Sequence, residues 1–213
     1  MKINFCYDKD KDVWCLFNKG IGSNNSQKPT KQYEQLTAMY GEDPSLEDAK
    51  SFVDLYIIKN EIDISRCVEL FQHDWEQVQN EFQNRAEIIF NTVLPNDITT
   101  YLTINSRCPY SVEDNYFYVS MQSNNVRGII MHELWHFYTW YGLGANQEET
   151  LGLQKYNDMK EALTVLLNVE CRDLFTEDMT DIGYPQHQDL RKQILKYWEK
   201  DRDIKNLWDH IGL

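Results

Sequence analysis

Residues 125–144, NVRGIIMHELWHFYTWYGLG, contain the most apolar window of the chain. A polar pair, Ser123-Asn124, precedes this stretch and is suited to cap the start of a helix. The segment Gly142-Leu143-Gly144 follows it, and glycine favours the end of a helix. We therefore predict a strongly apolar, buried helix from about Asn125 to Tyr141.

Two histidines and a glutamate interrupt this apolar helix. His132 and His136 are four residues apart, so they project from one helix face and can reach a single zinc ion. Glu133 lies to the side of that metal, where it can take a proton from a zinc-bound water whose pKa falls to about 7. The alternative is that both histidines only hydrogen-bond within the core, but burying three such groups without a purpose is costly.

A catalytic zinc site needs a third protein ligand and an open fourth position. The candidates downstream of the helix are Glu148, Glu149, Asp158, Glu161, Glu170 and His187. We choose Glu161, because it opens the apolar run 162–167 and its helix should therefore be buried near the site. Glu148 or Glu149 is the main rival, followed by His187.

The run YFYVSM (116–121), a short polar link and the helix bearing HELWH resemble the zincin metallopeptidases. The resemblance covers about residues 90–168. In that family an edge strand lines the substrate cleft and the HExxH helix forms its floor. The resemblance thus implies a peptide or protein substrate, extended along residues 115–121, and an enzyme that hydrolyses peptide bonds with Glu133 as the general base.

Two branches of the zincin family differ in the third ligand. The metzincin extension is missing, because Thr139 and Gly142 stand where a glycine and a third histidine belong. Glu161 and the apolar run after it look like the glutamate helix of the gluzincin branch. The chain departs from that branch in a longer gap after His136 and at Val165, where an acid is usual. The resemblance implies zinc held by two histidines and Glu161.

Composition limits the classes of partner. The 213 residues include 42% hydrophobic side chains, enough for a core without disulfides. A net charge of −13 repels phosphate backbones and anionic membranes, so we expect neither nucleic acid nor membrane as a partner. The length predicts one domain, 1–213, with an N-terminal lobe over 1–142 and a helical C-terminal lobe over 143–213. The oligomeric state cannot be read from the sequence.

The N-terminus and the cysteines predict a compartment. MKINFCYDKDKD lacks the apolar region of a signal peptide, and no stretch approaches the ~20 apolar residues that span a bilayer. The five cysteines are scattered without a CxxC pair, which is typical of reduced thiols. We therefore expect a cytoplasmic protein.

Apolar periodicity predicts an α+β fold of zincin type: a small mixed sheet with a backing helix, the HExxH helix and a helical C-terminal lobe. In the N-terminal half we predict a β-hairpin (2–7 and 13–17), a loop (20–30), a helix capped by Ser45 (to about 59) and a helix capped by Asp63 or Ser65 (to near 95). Two strands follow, at 98–104 and 115–121. After the HExxH helix we predict helices from 148 or 155 to 175, from 188 to 198 and at 203–213.

Several tyrosines and histidines outside the predicted metal site remain to be placed. A hydrolase also needs a donor to the developing oxyanion, usually a tyrosine or histidine; Tyr156, Tyr184 and His187 follow the metal helix and are candidates, and we choose none of them. His73 and His210 are expected to be structural or exposed. Two other functions stay open: a metal-binding or regulatory domain without catalysis, and a zinc hydrolase of a non-peptide amide.

Overall fold

The computed structural model describes residues 1–18, 28–176 and 178–212. Over these residues the protein has an α+β architecture with a small four-stranded sheet, as predicted. The strands are β1 (Lys2–Tyr7), β2 (Asp97–Thr103), β3 (Tyr110–Ser111) and β4 (Tyr116–Ser120). The α-helices are α1 (Lys9–Phe17), α2 (Lys31–Tyr40), α3 (Leu46–Lys59), α4 (Ile64–Glu76), α5 (Gln79–Phe90), α6 (Val126–Leu143), α7 (Gln147–Leu151), α8 (Leu153–Leu163), α9 (Leu167–Glu170), α10 (Gln188–Trp198) and α11 (Ile204–Gly212).

The chain divides into two compact units. The first comprises Met1–Asp74 and Pro95–Val126, and the second comprises Trp75–Leu94 and Arg127–Leu213. This division does not coincide with the predicted boundary at residue 142, because α5 and α6 belong with the C-terminal helices and not with the sheet.

The sheet lies in the first unit, with strand order β1-β2-β4-β3. β1 and β4 both pair with β2 in parallel, and β3 pairs with β4 antiparallel. One face is apolar: Ile3 faces Ile98, and Leu102 faces Val119, and all four side chains are fully buried. The prediction that the segments 98–104 and 115–121 are neighbouring strands is confirmed, because β2 pairs with β4.

The predicted N-terminal hairpin is wrong. Its second strand, 13–17, is part of helix α1, which begins after Asp8. The Asp8 side chain accepts hydrogen bonds from the backbone N–H groups of Asp10 and Lys11, and this N-cap starts a helix where a turn was expected. β1 therefore pairs with β2, far along the chain, and not with a local neighbour.

The other predictions for the first unit are mostly confirmed. Ser45 caps α3 in a capping box with Asp48, and α3 ends at Lys59 as expected. Helix α2 was not predicted. The predicted loop 20–30 falls largely outside the described residues.

The single long helix predicted up to residue 95 is two helices, α4 and α5. Asp63 accepts a hydrogen bond from Arg66 N at the start of α4, as predicted. Between the helices, Val78 N donates to Trp75 O, a tight turn that neither proline nor glycine marks in the sequence.

In the second unit, one face of α6 packs on α5 through aromatic side chains. The rings of Trp135 and Tyr138 contact those of Phe82 and Phe90, with centroid distances of 5.0–6.3 Å. Gly142 permits this close packing, since a Cβ there would lie 2.9 Å from Phe90 Cβ. The packing fixes the rotation of α6 about its axis and thereby the direction of its polar residues.

The helix predicted from 148 or 155 to 175 is interrupted. Gly152, at φ +81°, separates α7 from α8, and 3-10 turns follow at Thr164–Leu166 and Arg172–Leu174. Helix α10 matches its predicted bounds, and α11 confirms the expected terminal helical segment. Among the described helices, none has both the length and the apolar content needed to cross a lipid bilayer.

Candidate metal centre

Helix α6 places the two predicted histidine ligands side by side. His132 Nε2 and His136 Nε2 lie 3.1 Å apart, and the ring centroids are 4.6 Å apart. His136 is buried, whereas His132 keeps part of its surface accessible. Because the two residues are one turn apart, the helix itself aims both Nε2 atoms at the same point.

Helix α8 brings the predicted third ligand to the same point. Tyr156, Met159 and Ala162 bury one side of α8, so the helix is held against the core of the second unit. Glu161 then lies next to both histidines: Oε2 is 3.5 Å from His132 Nε2, and Oε1 is 3.4 Å from His136 Nε2. The three side chains offer ligand atoms that all lie within 4.8 Å of one another.

These separations fit a tetrahedral ion. Two ligands bound to zinc at 2.0–2.1 Å with tetrahedral angles are about 3.3 Å apart. The observed distances between the donors are 3.1, 3.4 and 3.5 Å, the last two involving different oxygens of Glu161. A nitrogen–nitrogen–carboxylate set with one side open is the donor chemistry of catalytic zinc. The residues present therefore suit a zinc ion without a change of backbone.

Two buried oxygens at this site accept no hydrogen bond: Glu161 Oε2 and Glu133 Oε2. A buried carboxylate oxygen without a partner is costly, and a bound cation with its water would satisfy both. Burial raises the pKa of Glu133 to about 8, although the charge of His132 opposes the shift. A cation held by the three donors would thus favour the ionised form of Glu133, which a general base requires.

A carboxylate that the sequence did not reveal orients His132, the first of the predicted ligands. Asp181 Oδ2 lies 2.7 Å from His132 Nδ1. Burial would raise the pKa of Asp181, but the hydrogen bond to His132 and the charge of Arg191 hold it at about 2. An ionised carboxylate only accepts, so Nδ1 of His132 carries the proton and its Nε2 is left to bind a metal.

Asp181 is itself firmly held. Its Oδ1 accepts hydrogen bonds from Thr164 Oγ1 and from Arg191 Nη1, both at 2.8 Å. Its backbone oxygen accepts from Arg191 Nη2 at 2.7 Å and from Asn168 Nδ2 at 2.7 Å, and its backbone N–H donates to Asn168 Oδ1. The segment around Asp181 has no regular secondary structure, so these bonds to neighbouring helices fix its position.

The charges of the site favour a cation at the donors. Burial opposes charging of His132, but the hydrogen bond to Asp181 and the nearby carboxylate of Glu161 outweigh it and raise the pKa of His132 well above its usual value. Burial would raise the pKa of Glu161, yet His136 and His132 hold it well below its usual value. Burial lowers the pKa of His136. Without a metal, the positive charge between the carboxylates of Asp181 and Glu161 is therefore the protonated His132, and a cation bound at Nε2 would take the place of that proton.

The rival ligands lie elsewhere. Within the described part of the chain, the group of His132, His136 and Glu161 is the one that meets the geometric requirement for three or more metal ligands. His187 Nε2 is 2.9 Å from Asp158 Oδ1, and Glu170 Oε1 accepts from Trp198 Nε1. Glu148 and Glu149 belong to α7 and are outside the group.

The two candidate tyrosines pack against other aromatic rings. The buried ring of Tyr156 packs against Trp140 and Trp208, and the ring of Tyr184 packs against His187. His73 and His210 are exposed, in agreement with the prediction for them.

Comparison with known proteins adds no assignment. No protein-family model, no curated protein and no solved structure matches this chain. The zincin resemblance therefore stays a prediction that is based on the residues.

Proposed function

We propose that the chain is a zinc-dependent metallopeptidase of zincin type, in the gluzincin branch. The observation that carries the proposal is the convergence of His132 Nε2, His136 Nε2 and Glu161 at tetrahedral spacing, with the buried Glu133 beside them. The substrate is a peptide or protein, and the reaction is hydrolysis of its amide bond.

The chain's own residues supply binding, orientation and proton transfer. Zinc, when bound, would polarise a water molecule and the substrate carbonyl. Glu133 takes one proton from the water molecule while the oxygen of that water forms a bond to the carbonyl carbon. The carbonyl oxygen then carries the negative charge. When the C–N bond breaks, Glu133 gives the proton to the leaving nitrogen, and an acid and an amine remain.

The environment of Glu133 supports this role. The side chain is on the metal-binding helix, next to the first ligand, and the residue is 7% exposed. Burial raises the pKa of this carboxyl to about 8, and a cation at the three donors would lower it again and so favour the ionised base. A structural metal site would need no such group.

The orientation of His132 supports the proposal as well. Asp181, His132 and the proposed zinc form the carboxylate–histidine–metal arrangement that tunes ligand basicity in metalloenzymes. Val165 stands where the gluzincin branch usually has an acid, and in this chain a carboxylate reaches the site from a later segment instead.

Metal content and hydrolysis together test the proposal. The purified protein should contain one zinc per chain by elemental analysis and should cleave casein or a mixed peptide library. Glu133→Gln should keep the zinc and lose roughly 100- to 10,000-fold in rate. Glu149→Gln, an exposed glutamate outside the site, is the matched control and should retain both.

Two results would count against the proposal. A protein that has no affinity for zinc ends it. A zinc-loaded protein that cleaves no member of a broad peptide library would instead indicate a metal-binding domain without catalysis, or a hydrolase of non-peptide amides.

A further inference from the structure

A buried lysine lies at the proposed zinc site, and neither the motif nor the ligand set accounts for it. Lys160 precedes Glu161 on α8, and its side chain is 9% exposed. Burying an ammonium group is expensive unless polar groups compensate it. Its Nζ donates a hydrogen bond to Asn157 Oδ1 at 3.1 Å and lies 3.7 Å from Glu161 Oε1.

The position of Lys160 can be bounded relative to the metal. Glu161 Oε1 is the oxygen that also lies 3.4 Å from His136 Nε2, on the side where the donors converge. A zinc bound to this oxygen at about 2 Å is no further than about 6 Å from Lys160 Nζ, given the 3.7 Å from Nζ to Oε1. This limit leaves room for an oxygen on the Lys160 side of the zinc to accept a hydrogen bond from Nζ.

Lys160 does not help the protein hold zinc. Its positive charge repels a dication a few ångströms away, and it draws electron density from the carboxylate that binds the metal. Its position therefore weakens zinc binding, unless a negative charge comes to lie between the two cations. In amide hydrolysis that charge develops on the carbonyl oxygen when water attacks the carbonyl carbon.

We propose that Lys160 is a catalytic residue that donates a hydrogen bond to the carbonyl oxygen as it gains negative charge. This inference rests on the proposed function and adds the electrophile that the motif leaves open. Tyr156, Tyr184 and His187 were the candidates for this role. The ring of Tyr156 packs in an aromatic cluster. The ring of Tyr184 packs against His187, and His187 pairs with Asp158. A charged donor that is largely buried stabilises an oxyanion more than a neutral donor does.

Kinetics give the first test. Lys160→Met should lower kcat by about 100-fold with little change in KM, because the bond forms only as charge develops. Lys160→Arg keeps the charge and should recover part of the loss. Lys155→Met removes an exposed lysine from the same helix and should stay within about twofold of the wild type. Equal kcat values for the wild type and Lys160→Met would overturn the inference.

Binding gives a second test that needs no turnover. The zinc-loaded proteins are titrated calorimetrically with acetohydroxamate, an anion that binds catalytic zinc. Lys160→Met should bind it roughly 10- to 100-fold more weakly than the wild type, while zinc itself binds Lys160→Met as tightly or more tightly. Equal acetohydroxamate affinities, or weaker zinc binding by the variant, would show a merely structural lysine.

The outcomes separate the inference from the proposed function. If the wild type binds zinc but cleaves no peptide, the peptidase proposal fails, and the titration still decides whether Lys160 recognises an anion at the metal. If hydrolysis is present and Lys160→Met is unaffected, the lysine inference alone fails. Should Lys160→Met not fold by circular dichroism, Lys160→Gln replaces it in both measurements.

Discussion

Asp181 Oδ2 and His132 Nδ1 are joined by a 2.7 Å hydrogen bond, and it decides which nitrogen of His132 can bind a metal. The Asp181 side chain is 7% exposed, so water competes little for this bond. The same carboxylate accepts from Arg191 on α10 and from Thr164 in the 3-10 turn after α8, and these two elements thus determine the orientation of a residue on α6. The proposed metal binding is therefore coupled to the packing of the second unit.

Replacing Asp181 tests this coupling. Asp181→Asn keeps the size of the side chain but removes the charge that makes His132 more basic. We expect zinc affinity to fall by about 10- to 100-fold, measured by competition with a zinc indicator. Asp178→Asn changes an exposed aspartate in the same segment and should have no effect. Unchanged zinc affinity in Asp181→Asn would mean that the hydrogen bond stabilises the fold and has no part in metal binding.

The sequence predicts part of this centre and not the rest. His132, Glu133 and His136 follow from helix periodicity, because one helix carries them. Glu161 could be chosen from the apolar run after it. Asp181 lies in an irregular segment with no periodic signal, and what brings it to His132 is its set of bonds with Arg191 and other tertiary partners. Long-range contacts of this kind leave no local pattern.

The choice of Glu161 over Glu148 can be tested by zinc binding. Glu161→Gln removes the proposed ligand, whose oxygens lie 3.4 and 3.5 Å from the two imidazoles, and zinc affinity should fall by at least about 100-fold. Glu148→Gln, on α7, serves as the control and should bind zinc as the wild type does. The reverse result would assign the third ligand to α7.

The errors in predicting the fold have local causes as well. The apolar run 13–17 suits a strand or a buried helix equally, and the choice depends on Asp8, which can occupy a turn or cap a helix. In the structure it caps α1. The break between α4 and α5 has no proline or glycine to announce it, so the continuous apolar stripe predicted one helix. Helix α6 was predicted well because its cap, its apolar run and its terminal glycines agree.

A buried aspartate in the first unit should make stability depend on pH. Asp12 is buried and accepts hydrogen bonds from Thr103 Oγ1 and Ile104 N, yet burial raises its pKa from 3.8 to about 6. A raised folded-state pKa means that the protonated form is favoured in the folded protein. Its stabilising contribution is full below about pH 4 and is lost as the pH rises through about 6.

Asp12→Asn resembles the protonated form at every pH. Its advantage over the wild type should therefore grow between about pH 4.5 and 7.5, to at most about 3 kcal/mol in the free energy of unfolding. Urea denaturation at the two pH values measures it. Asp10→Asn, exposed on the same helix, should change stability by less than about 0.5 kcal/mol. A constant difference between Asp12→Asn and the wild type would contradict the assignment.

Gly183 links backbone geometry to the orientation of His132. It adopts φ +63°, and a Cβ at this position would lie 2.5 Å from Arg191 Nη1 and 2.7 Å from Arg191 Cζ. The guanidinium cannot withdraw without breaking its bonds to Asp181 Oδ1 and to the Asp181 backbone oxygen. An added methyl group therefore disturbs the residue that positions the first ligand.

Gly183→Ala should consequently lower both the melting temperature and the zinc affinity, the latter by about tenfold, as expected for a displaced partner of a ligand. Gly152→Ala separates the two effects. Gly152 also has positive φ, +81°, but nothing lies within 4 Å of the added Cβ, so this variant should lose stability and keep its zinc affinity. Calorimetry measures the melting temperature of both variants, and competition with a zinc indicator measures their zinc affinity. If both lose zinc affinity equally, backbone strain and not displacement of Arg191 is the cause.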